Sequence, residues 1–150
     1  RGEQKKIGRI GIFGAGPLTA QLMAEASELK DFDITFGNTD SPIKVLAKTK
    51  FLLSLQEDEN YPSQAILEAL STGAKIIATD VGETYRIVTP EVGLRIPRDP
   101  EMLASGIIKS LEDYSFDKNT FHTLNSFVTS NHNPVKFGTY LHNLIINSAH

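Results

Sequence analysis

Gln64 and Glu68 stand four residues apart behind a proline, in the stretch "LQEDENYPSQAILEALSTG" that runs from residue 55 to 73. Two side chains at that spacing share one face of a helix, and side chains on a helix lean toward its start. Both are therefore aimed at the polar run before Pro62. The first amides of such a helix have no intrahelical partner and, with the helix dipole, favour an anion. Pro62 fixes the chain direction and needs no amide partner, so Ser63, Gln64 and Ala65 supply the first free N–H groups. A carboxylate beside a phosphate site can accept two hydrogen bonds from a ribose diol, as the acid of a dinucleotide domain does. The same residues also fit a plainer account, with Glu68 a solvated helix residue and Ser63 an ordinary N-cap. Residue type and spacing leave both open.

A second candidate is "GAGPLTA", a Gly-x-Gly followed by a small residue. It invites a dinucleotide reading through Gly14 and Gly16, which makes an NAD(P)- or flavin-binding oxidoreductase domain one alternative. An acid should then end the next strand about 20 residues on, but "ITFGN" offers Asn38. Pro17 has no N–H for a pyrophosphate. The glycines fit better as a tight turn or as a wall beside a nucleotide. Asp80, Gly82, Glu83 and Thr84 form a third polar cluster, which a capped turn explains equally well. The histidines 122, 132, 142 and 150 all lie in the tail without acids at metal-ligand spacing, so no metal site is expected. Gly-x-Ser-x-Gly is absent.

These groups need elements to hold them. "KIGRIGIFG" reads as a strand near Ile7 to Phe13, followed by a helix from about Pro17 with Leu18, Leu22, Ala26 and Leu29 on one stripe. "DFDITFG" is a second strand, and "SPIKVLAKT" a short helix capped by Ser41 with Pro42 first. "KFLLSL" is a third strand, apolar throughout as a strand covered on both faces should be. The helix after Pro62 buries Ile66, Leu67 and Leu70 and stops at Gly73. "AKIIATD" and "VGLRIP" are the fourth and fifth strands, with a turn or short helix in "GETYRIV" between them. Asp99-Pro100 opens a helix carrying Leu103, Ile107 and Leu111. Two more helical patterns follow, one with Phe121, Leu124 and Phe127, the other from Asn133-Pro134 with Phe137, Leu141 and Leu144.

Such alternation specifies an α/β fold, a doubly wound, Rossmann-like parallel sheet of about five strands with helices on both faces and two carboxyl-terminal helices. Ligands bind such sheets at the carboxyl ends of the strands, where strand order reverses. The loops to search are "GAGP", "GNTD", "QEDENYPS" and "DVGET".

Composition narrows the classes. The 150 residues make one domain's worth of chain, and 40% hydrophobic content suffices for a core. Net charge is −3 with scattered Lys and Arg, which argues against nucleic acid as a partner. No apolar run approaches the roughly 18 residues of a membrane span. Without cysteine there is no disulfide or thiolate metal site. The chain opens with Arg1, which suggests a piece of something longer. A flavodoxin-like interaction module with no small ligand is a further, non-enzymatic alternative.

The run "NYPSQAILEALSTGAKIIATDVGETYRIVTPEVGLRIPRDPEMLASGI" resembles the carboxyl-terminal half of retaining GT-B glycosyltransferases, in the large family that includes sucrose and mannosyl transferases. Tyr61-Pro62, Leu67-Glu68-Ala69, Thr72-Gly73, Asp80-Val81-Gly82, Gly93 to Pro97 and Asp99-Pro100 follow that family's order. The likeness spans about residues 7 to 112, and it is the ordered set that is specific.

The resemblance implies a donor-binding domain, one part of a two-domain enzyme that moves a sugar from a nucleotide diphosphate to an acceptor hydroxyl with retention. Glu68 would hold the ribose. The backbone of Ser63, Gln64 and Ala65, next to Tyr61, would meet the diphosphate and sugar. Gly16 would line the donor, and Asn38 would touch the base. The family's second carboxylate lies eight residues before the first, where this chain has Asn60, with Glu59 one step back. These two take the catalytic position. Glu83 and Arg86 stand where the family often has glycine and glutamate. The family's opening strand and basic phosphate loop are not found before Lys5. The remaining strands would take the order 2-1-3-4-5. The implied partners are a nucleotide sugar and, through an amino-terminal domain, an acceptor glycan or lipid-linked sugar, as in polysaccharide biosynthesis. No cofactor or metal is implied, membrane association is at most peripheral, and the expected location is the cytoplasm, at the inner face of the membrane. The isolated domain would bind nucleotide and transfer nothing.

Overall fold

The computed structural model describes residues 8–114 and 118–148, without the side chains of 140, 141 and 144–148. Ile7, His150 and the side chains of Leu141 and Leu144 lie outside that description. The chain divides into two compact units, Arg1–Pro42 and Ile43–His150.

In the first unit β1 (Gly8–Phe13) pairs in parallel with β2 (Phe32–Gly37), Gly8 opposite Phe32 and Phe13 opposite Gly37. Between them runs α1 (Thr19–Glu28), two residues later than Pro17 suggests. Its apolar stripe is not closed over: Leu18, Leu22 and Leu29 are exposed and α1 has no buried residue. A cavity of about 360 Å³ is lined by Met23, Ala26 and Leu29 of the helix side and by Phe32, Ile34 and Phe36 of β2.

The second unit carries the core. After α2 (Pro42–Leu46), the parallel strands β3 (Phe51–Ser54), β4 (Lys75–Thr79) and β5 (Gly93–Ile96) lie in that order, with β4 central. β4 reads Lys-Ile-Ile-Ala-Thr and is buried from Ile76 to Thr79, as a central strand covered on both faces must be. α3 (Gln64–Ser71) presents Ile66, Ala69 and Leu70 to it. Thr72 is the C-cap of α3, and Gly73 takes φ 88°, the left-handed step that ends a helix. α4 (Pro100–Glu112) begins at an Asp99 cap, whose carboxylate accepts from the Met102 amide at 2.8 Å.

Of the two tail helices, α5 (Lys118–Asn131) packs on α3. Leu124 is fully buried, Phe127 and Val128 lie against the same core, and Asn125 Nδ2 donates to the Ser71 carbonyl at 3.1 Å. α6 (Pro134–Ser148) leaves Val135 and Phe137 exposed.

The parallel α/β class thus stands. The strands form two sheets, β1-β2 and β3-β4-β5, rather than one continuous sheet ordered 2-1-3-4-5. β1 has glycine at two of its six positions and alternates half-buried with exposed residues.

Candidate functional site

Three connections of the second unit leave the carboxyl ends of its strands: residues 55–63 after β3, 80–83 after β4 and 97–99 after β5. The first is the polar knot of the sequence, and two of its acids, Glu57 and Glu59, are engaged by the other two.

The knot is pinned from its start. The Thr79 hydroxyl, buried at the end of β4, donates to the Gln56 carbonyl at 2.6 Å. Glu57 pairs with Arg98, just before the Asp99 cap. Glu59 reaches the turn after β4, where its Oε1 accepts from the Glu83 amide at 2.9 Å. The preceding residue, Gly82, has φ 48°, and a Cβ there would stand 2.6 Å from Glu59 Cβ and 2.7 Å from its Cγ and Cδ. Only glycine gives both that backbone and that closeness.

The 3-10 turn Thr84–Arg86 then brings Arg86 back to the knot. Arg86 Nη1 donates to Glu83 Oε2 at 2.7 Å, and its guanidinium lies 5.4 Å from the Tyr61 ring centroid. The hydrogen bond and charge of Glu83 raise the Arg86 pKa above its ordinary value, so it stays cationic. A second arginine, Arg95 of β5, donates to Asp80 at 2.7 Å and lies 6.0 Å from the Tyr85 ring centroid.

At the mouth of α3 the Tyr61–Pro62 peptide is cis, and Ser63 is extended and 3% exposed. Ser63 Oγ accepts from the Ile66 amide at 3.4 Å, a long capping bond. The amides of Gln64 and Ala65, the first two of the helix, have no partner among the described residues. One turn in, Glu68 is half-buried and its Oε1 accepts from Gln64 Nε2 at 2.8 Å. The two side chains expected to share a face therefore meet each other. Asn60 is exposed, with no hydrogen-bond partner among the described residues.

Tyr61, Ser63, Gln64, Ala65 and Glu68 thus gather at one helix mouth, with Glu59 and Asn60 in the loop before it. Gly16 and Asn38 belong to the first unit. There the Gly16 amide donates to Thr19 Oγ1 at 3.0 Å, Gly14 N donates to the Gly37 carbonyl at 2.9 Å, and Asn38 is exposed just beyond β2. The Gly-x-Gly amides accordingly serve a turn. The unforeseen members of the second unit are Arg95, Arg98 and Thr79. A parallel register that sets Arg95 beside Ala78, two residues short of Asp80, is the signal that could have found the first.

A separate cavity of about 230 Å³, lined by Lys75, Glu91, Asn119, Thr120, Thr123 and Leu124, opens at the other end of β4. Among the described residues no three His, Asp or Glu side chains gather as a metal-ligand group, and no helix is long and apolar enough to cross a membrane.

The profile of the family described as glycosyl transferases group 1 matches residues 3–113. No curated protein is similar enough to match. Among solved structures the chain is similar to one titled "Crystal structure of GtfA/B complex", at 16% identity and TM-score 0.61, over 82% of this chain and 26% of that one. At such identity the likeness shows the fold, which is Rossmann-like. The present chain spans about a quarter of that structure's length.

Proposed function

Since this chain belongs to the glycosyl transferases group 1 family, we propose that it is the donor-binding part of a retaining glycosyltransferase. It would hold a nucleotide diphosphate sugar while the sugar passes to an acceptor hydroxyl. On this proposal residues 1–150 act as one nucleotide-sugar-binding domain of a longer two-domain enzyme, whose other domain receives an acceptor glycan or lipid-linked sugar.

One observation carries the proposal. Two amides without a partner among the described residues, Gln64 and Ala65, open α3 at the carboxyl ends of a parallel sheet, and a half-buried carboxylate, Glu68, stands one turn inside. Amides and dipole suit a diphosphate. Glu68 has Oε2 left over after its bond from Gln64 and suits a ribose hydroxyl. Asn60 occupies the family's second acid position and is proposed to face the donor sugar.

Chemically, transfer depends on stabilising the departing diphosphate with fixed donors. Helix-dipole attraction at an exposed site is worth only about 0.3–1 kcal/mol, so a cation is needed. Arg86, stacked over the Tyr61 ring two residues before the Ser63 cap, is a candidate in the second unit. These groups are proposed to supply the charge stabilisation, with no metal or cofactor called for. By itself the chain is proposed to bind nucleotide and transfer no sugar.

Isothermal titration with UDP, GDP and ADP tests this. One nucleotide should bind, and Glu68→Ala should weaken it about tenfold, the loss of roughly one hydrogen bond to a charged group. No heat from any of the three at millimolar concentration overturns the proposal.

A further inference from the structure

We infer that Glu59 is a positioning residue, a latch between the loop entering α3 and the turn leaving β4, and that it serves the donor site without touching the donor. This rests on the donor-binding proposal above and assigns a role within that same site.

The latch has two halves. Glu59 Oε1 takes the Glu83 amide at 2.9 Å, and the aliphatic part of the same side chain lies flat on Gly82. The contact continues as a circuit. The Glu83 carboxylate holds Arg86 at 2.7 Å, and Arg86 lies over Tyr61, two residues along the loop from Glu59. The circuit therefore leaves the loop at Glu59 and returns to it at Tyr61. Each step fixes the next: the amide bond sets the turn, the turn sets Glu83, Glu83 orients the guanidinium, and the guanidinium lies against the residue that precedes Pro62. Loss of the first bond frees the turn and, with it, the cation beside the mouth of α3.

Glu59 commits its Oε1 to the Glu83 amide and its stem to Gly82. Asn60 has no such commitment among the described residues. The proposed division of labour follows, with Asn60 for the sugar and Glu59 for the loop.

What the latch needs is an acceptor oxygen at the end of two methylenes, not a negative charge. Glu59→Gln keeps that oxygen at that reach. Glu59→Asp withdraws it by one methylene, and Glu59→Ala removes it. A carboxylate that meets the donor would rank Gln with Ala instead.

The test has two arms. In ¹H–¹⁵N spectra of the full chain, the Glu83 amide should exchange slowly in the wild type and in Glu59→Gln, and faster in Glu59→Asp and Glu59→Ala. In titrations with whichever of UDP, GDP or ADP binds the wild type, Glu59→Gln should stay within about twofold, while Glu59→Asp and Glu59→Ala weaken about fivefold or more. Equal Glu83 exchange in all four proteins overturns the latch. A Glu59→Gln affinity as poor as that of Glu59→Ala overturns the positioning role. If the wild type binds no nucleotide, the donor-binding proposal fails by itself, and the exchange arm still decides whether the latch exists.

Discussion

Glu59 and Gly82 interlock: the carboxylate side chain of one occupies the space that a side chain on the other would need. Gly82→Ala therefore meets two obstacles. Its φ of 48° is the left-handed conformation, which costs an L-residue about 1–2 kcal/mol, and the new methyl would displace Glu59. Because Glu59 is exposed, it can swing aside, so the overlap is relieved at the expense of the bond to the Glu83 amide. We predict that Gly82→Ala destabilises the protein by about 1–2 kcal/mol and speeds Glu83 amide exchange. Urea unfolding with hydrogen exchange measures both. An unchanged midpoint would refute the interlock.

The other latches should behave differently. The Arg98–Glu57 pair is solvent-exposed, with side chains 58% and 70% accessible. Such pairs contribute about 0–1 kcal/mol and are screened by salt. Arg98→Ala should shift stability by less than about 1 kcal/mol, and the shift should shrink further in molar salt. Arg95 is more enclosed, at 31%, and its loss should be felt more. Thermal melts at low and high salt order the two. A larger effect for Arg98 than for Arg95 contradicts the exposure argument.

His132 supplies the pH dependence. It lies beside the Phe127 ring at 6.0 Å between centroids, and burial lowers its pKa from the usual value. The unfolded chain then binds the imidazole proton more tightly than the folded one, so the unfolded state binds more protons in the window below about pH 6.5. Stability from this group is complete above that pH and is lost as pH falls toward the folded value. His132→Gln should flatten the fall in melting temperature between about pH 7 and pH 5.5. Parallel pH profiles for the two proteins would exclude the assignment.

What the sequence made legible, and what it hid, divides by range. Local signals placed most elements to within a residue or two. The Asp99-Pro100 cap, the Ser63 cap and the Gly73 stop all depend on neighbours within one turn. The apolar run "KFLLSL" promised a strand covered on both faces, but β3 is half-buried throughout and the buried strand is β4, while the 3-10 turn from "GETYRIV" was one of two forms that stretch allowed. The latches are of another kind. Glu59 finds its partner 24 residues away and Glu57 finds Arg98 41 away, with no period linking them. The polar density at 56–64 therefore looked like ligand chemistry, whereas much of it fastens the loop to neighbouring strand ends. Glu68 and Gln64 lie on one face as their spacing demands, yet what that spacing first produces is a bond between them. Strand order carries no local signal either. Resemblance supplied 2-1-3-4-5, whereas the strands pair as β1-β2 and as β3-β4-β5. The exposed stripe of α1 likewise satisfies the helical period without being buried, because period reports a face and not what covers it.

The family match ends at residue 113, but the core of the second unit does not. Leu124 of α5 is fully buried in the same cluster as Leu70 and Val92, and Asn125 is hydrogen-bonded to the end of α3. α5 thus covers the helix whose mouth is the candidate site. Truncating Leu124 leaves a cavity under α3, and Leu→Ala changes at buried sites cost about 2–5 kcal/mol. Native domains hold only about 5–15 kcal/mol in all, so Leu124→Ala should lower the unfolding midpoint sharply. A chain ending at Asp113 should lose cooperative unfolding altogether. Phe137→Ala on α6, where the ring is 63% exposed, should shift stability by less than about 0.5 kcal/mol. Urea titrations of the three variants decide the matter. A 1–113 fragment that unfolds as cooperatively as the full chain would show that α5 is an appendage and not a wall of the core.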